Sequence, residues 1–195
     1  MLINVSDSHN EDIEKMSEII QQTETEDKTV YSAFTRACYP LMNLCKRYHT
    51  QRVSRAELME FAAWVEGLGQ LRFRDEVALF LSELGYQLEV SSDNHTDINA
   101  VRDNEKIYIR VIQDAESVLL EEDGPDEILV ADFGRTVADS EATVGILVSV
   151  SRITLSARAF TLRNNLFSLC LYDLYKCIYA NREKYDEKMI AQLCA

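Results

Sequence analysis

Phe73-Arg74-Asp75-Glu76-Val77-Ala78-Leu79-Phe80-Leu81-Ser82-Glu83-Leu84-Gly85-Tyr86 repeats its large apolar residues at helical spacing and ends on a glycine. That pattern predicts an amphipathic helix whose last turn is released by Gly85. Two short apolar runs follow, Gln87–Val90 and Ile98–Arg102, with Asp97 leading the second. Asp103-Asn104 is suited to a tight hairpin, and Lys106-Ile107-Tyr108-Ile109-Arg110-Val111-Ile112 supplies its return strand. Side chains alternate along a strand, so Lys106, Tyr108, Arg110 and Ile112 fall on one face.

Beyond Ile112 comes an acidic stretch, Asp114 to Glu127, with seven acids (Asp114, Glu116, Glu121, Glu122, Asp123, Asp126, Glu127) interrupted by Gly124-Pro125. It leads into a helix over 126–139 and a buried strand over Thr143–Val150. Thr154 is placed to cap a further helix through Ala157, Phe160 and Leu162. Leu166–Leu171 reads as a last strand, and Asp173 as the cap of a long terminal helix carrying Leu174, Cys177, Ile178, Met189, Ile190 and Leu193. Upstream, Thr29–Tyr48 has helical periodicity, with Pro40 expected to start or kink the helix. Ser54 and Glu57 have capping-box spacing. The helix they begin should bury Leu58, Phe61, Ala62 and Val65 and stop near Gly67 and Gly69. Residues 1–27 are polar and acidic and read as a solvated tail; Ile13, Met16, Ile19 and Ile20 fall at the spacing of a transient docking helix. The expected order is α-β-β-β-α-β-α-β-α, an α/β fold with a mixed central sheet flanked by helices and an N-terminal helical extension. The segments are 1–27 (tail), 28–69 (helical extension) and 70–195 (core).

The chain has 195 residues, 47% hydrophobic and 27% charged, enough for one domain with a sizeable core. No apolar run reaches membrane-span length, and Met1–Val5 lacks the basic and apolar regions of a signal peptide, so a cytoplasmic or nuclear location is expected. Cys38, Cys45, Cys170, Cys177 and Cys194 are odd in number and contain no Cys-x-x-Cys, which predicts reduced, packed thiols. His9, His49 and His95 lack metal-ligand spacing. Net charge is −13. Residues 1–27 hold eight acids and one lysine, residues 28–75 eight bases and four acids, and residues 76–195 twenty-one acids and eleven bases. An acidic body repels phosphate backbones, which argues against tight, autonomous DNA binding. The basic turn around Lys46, Arg47, Arg52 and Arg55 has the look of half a helix-turn-helix. No basic recognition helix follows, so packing or dimerisation is the expected role.

In pattern and order, residues 71–180 resemble the Mrr-type branch of the restriction-endonuclease-like, PD-(D/E)xK superfamily. That family opens with Phe-Glu, then Val-Ala, Leu-Leu and Leu-Gly-Tyr; Phe73, Val77-Ala78, Phe80-Leu81 and Leu84-Gly85-Tyr86 keep the spacing. Its metal aspartate lies in Gly-x-Asp-Ile/Leu, where His95-Thr96-Asp97-Ile98 stands here. Its catalytic strand ends Ile-Gln/Glu-x-Lys, matched by Ile109-Arg110-Val111-Ile112. Its Gly-x-x-Val-Thr-Thr-Ser-x-Phe-Thr-x-x-Ala resembles Gly145 through Ala157. The resemblance implies a Mg²⁺-dependent nuclease core, yet the departures fall on the chemistry. The family's helix glutamate is Arg74, its strand acid or amide is Arg110, and its lysine is Ile112, leaving Asp97 alone.

Such cleavage needs clustered carboxylates to hold Mg²⁺ and a lysine to position or activate water. Guanidiniums beside Asp97 repel a divalent cation, so no catalytic residue, metal or cofactor is expected. Arg74 and Arg110 should instead neutralise Asp97, or grip an anion such as a phosphate. Ser149, Ser151 and Thr154 are a second candidate anion site, with capping and strand packing as the simpler explanation. The expectation is a non-catalytic binding or scaffold protein, or pseudo-nuclease, with a protein partner, a homodimer among the options, in nucleic-acid metabolism or defence. Nucleic acid would be met weakly or through that partner, and no membrane is involved. The alternatives are a nuclease with relocated ligands, for which Glu76, Glu89 and Glu105 are the spare acids, and an acidic inhibitor that mimics DNA.

Overall fold

The computed structural model describes residues 28–48, 53–89, 96–115 and 124–179. The expectations for the tail and for the chain beyond Tyr179 lie outside the described residues, as does most of the acidic stretch. Ten elements follow in order: α1 (Lys28–Tyr48), α2 (Arg55–Glu83), β1 (Gln87–Glu89), β2 (Asp97–Arg102), β3 (Glu105–Ile112), α3 (Glu127–Asp139), β4 (Val144–Ser149), α4 (Leu155–Arg163), β5 (Leu166–Leu169) and α5 (Leu171–Cys177). They form a five-stranded mixed sheet flanked by helices, in the spatial order β1-β2-β3-β4-β5. The first three strands are antiparallel; β3, β4 and β5 run parallel, joined by crossovers through α3 and α4.

Local chemistry sets the element ends. At the start of α2 the Ser54 hydroxyl accepts from the Glu57 amide at 3.3 Å, and the Glu57 carboxylate accepts from the Ser54 amide at 2.7 Å. These bonds to Ser54 hold the Glu57 carboxyl below its ordinary range. The stop expected near Gly67 and Gly69 is a break within one helical run, because Gly69 alone leaves helical geometry, at φ 73° and ψ 167°. At the other end, Tyr86 N donates to Leu81 O and Gly85 N to Ser82 O, a Schellman closure with Gly85 at φ 87°. Asp103 and Asn104 both take positive φ, as a two-residue type I′ hairpin requires. Helix α1 continues through Pro40, since Ala37, Cys38 and Leu41 are fully buried on both sides of it. One cap differs from expectation: Cys170, not Asp173, is the N-cap of α5, and Asp173 reaches back from N3 to accept from the Cys170 amide at 3.3 Å.

The sheet separates two cores. Ile98, Ala100, Ile107, Ile109 and Val111 pack with α1, α2 and α5 in the larger one. Tyr108, Ile112 and Leu147 meet Val130, Phe133 and Val137 of α3 and Ala157 of α4 in the smaller. Every residue of β4 is buried, as befits a strand covered on both faces. Helices α3 and α4 do not extend over β1 and β2, so Gln87, Glu89, Asn99 and Val101 are exposed on that face. The N-terminal helices are integral to the larger core. The buried Tyr86 hydroxyl donates to Ala37 O at 2.6 Å, and Arg36 pairs with Glu105, whose carboxylate also accepts from Thr143 at 3.1 Å.

Candidate functional site

At the step where the α3 layer ends and the bare face of β2 begins, the antiparallel register sets Asp97 opposite Arg110. The two side chains share a face, and directly opposed residues in such a ladder lie close enough for full contact. Arg110 Nε donates to Asp97 Oδ1 at 2.9 Å, and Arg110 Nη2 to Asp97 Oδ2 at 3.3 Å. Tyr108, one strand repeat away on the same face, donates its hydroxyl to Asp97 Oδ2 at 2.7 Å. The carboxylate thus accepts a two-pronged guanidinium and a phenol. Arg110 Nη1 also lies 4.0 Å from Asp132 of α3, and the guanidinium sits over the Phe133 ring at 5.6 Å.

The electrostatics follow from this packing. The Asp97 carboxylate holds Arg110 above its ordinary pKa, more than offsetting partial burial. Burial, and then the bond to Asp97, raises the Tyr108 hydroxyl, so it stays a donor at neutral pH. Ile112, where the resemblance implies a lysine, packs into the smaller core. Arg74 is buried on α2 and gives both Nε and Nη2 to Asp75 Oδ1, at 3.1 and 2.7 Å. Of the three spare acids, Glu76 is fully buried on α2, Glu89 is exposed on β1, and Glu105 is held by Arg36 and Thr143. Among the described residues, no three His, Cys, Asp or Glu side chains converge as a metal site.

The hydroxyls of Ser149, Ser151 and Thr154 all bond to groups of their own chain. Ser149 Oγ and Ser151 N donate to Asp114 at 2.9 Å each, and the Ser151 hydroxyl adds a third bond. Thr154 caps α4 through the Ala157 amide at 3.3 Å. The Ser149 and Ser151 hydroxyls hold the Asp114 carboxylate and fasten the start of the acidic stretch to the end of β4. Gly124, at its far end, donates to Arg152 O. Two features escaped sequence reading. Asp132 reaches Arg110 only through the crossover. Gln70 and Gln113 are linked across α2 and the end of β3: Gln70 accepts from Gln113 N and donates to Val111 O, both at 2.9 Å. Neither has a local signal, because each depends on pairing residues far apart in the chain. Burial pushes the thiols of Cys38, Cys170 and Cys177 up to about 12, which keeps them protonated and unreactive.

This sheet, with its αβββαβ order and an aspartate leading the second strand, defines a restriction-endonuclease-like domain. Residues 65–176 match the Mrr catalytic-domain family model, described as restriction endonuclease, and the chain belongs to that family. No curated protein and no solved structure matches it. No helix among the described residues is long and apolar enough to cross a membrane.

Proposed function

We propose that this protein is a catalytically silent member of its family, a binding or scaffold subunit that acts through protein–protein contacts in nucleic-acid metabolism or defence. One observation carries the reading: the Asp97 carboxylate is occupied by Arg110 and Tyr108, where nuclease chemistry needs oxygen ligands around a divalent ion. A cation entering there would face a guanidinium, and extracting Arg110 would leave a half-buried charge without its main partner. Overall charge supports the same reading, since a −13 chain repels a phosphate backbone at long range. Family membership favours the opposite reading, a Mg²⁺-dependent nuclease, so cleavage must be tested directly.

Wild type and Asp97→Ala are incubated with DNA and RNA in Mg²⁺ or Mn²⁺. No divalent-dependent cleavage is expected from either, and cleavage by wild type that Asp97→Ala abolishes sinks the proposal. A gain-of-binding arm complements this. Arg110→Glu with Ile112→Lys places family-type residues around Asp97. Mn²⁺ should raise the melting temperature of that double variant and leave wild type unchanged.

A further inference from the structure

No further inference is drawn: the strongest candidate, the cluster of the Cys45, Cys170 and Cys177 thiols around Asp173 between α1 and α5, carries nothing, because burial holds its thiols protonated and no three side chains among the described residues converge as a metal site.

Discussion

Asp97 and Arg110 show how far a single residue identity can be read. That arginine stands where the resemblance implies a metal ligand was legible, since alternation along Lys106–Ile112 fixes which side chains share a face. That it forms a two-pronged pair with Asp97, supported by Tyr108 and approached by Asp132, depends on register and crossover geometry. Asp173 offers a test of buried charge. Burial raises its pKa above the ordinary 3.8, more than the Cys170 amide lowers it. The folded state therefore binds this proton more tightly than the unfolded chain. The resulting stability is full at acid pH and is lost as pH rises through the folded pKa. Asp173→Asn keeps an acceptor for Cys170 N and removes the charge. Its melting temperature should exceed that of wild type near neutral pH, and the gap should close as pH falls toward the carboxylate range. Thermal melts across that window check the sign.

At the scale of elements, caps and turns were the most legible features, because a capping box, a Schellman glycine and a two-residue hairpin need only adjacent residues. The Asp173 cap was misplaced because the start of α5 is set by Cys170 leaving the sheet. Glycines separate local from tertiary demands. A Cβ on Gly134, within α3, would meet Phe160 and Leu166 at 3.5 and 3.6 Å, ordinary contact distances. Gly134→Ala should therefore stabilise the fold by roughly 0.5–1 kcal/mol through helix propensity. On Gly145 of β4 a Cβ would lie 2.6 Å from both Leu166 and Val137 and 3.1 Å from Phe133. Gly145→Ala should destabilise by about 1–3 kcal/mol through overpacking. Urea denaturation of the two variants should move the midpoint in opposite directions.

For the whole molecule, the helices before residue 69 and the sheet share one core, and a few buried polar ties fix their docking. Tyr86→Phe removes the hydroxyl that meets Ala37 O and leaves a buried carbonyl unmatched, so stability should fall by about 1–2 kcal/mol. The urea midpoint measures that loss; an unchanged midpoint would mean that α1 is not anchored through this bond. Composition and periodicity by themselves determined the class of fold, the order of its elements and the acidic character of the chain. Those properties are written in spacing and in residue type, which need no knowledge of what lies across the sheet. Only the tertiary structure decided that Asp97 meets Arg110 and Tyr108, that Asp132 approaches Arg110, and that Asp114 is satisfied by Ser149 and Ser151 at the end of β4. Each of these joins residues more than ten positions apart, and such distances exist only once the strands have paired and the crossovers have closed.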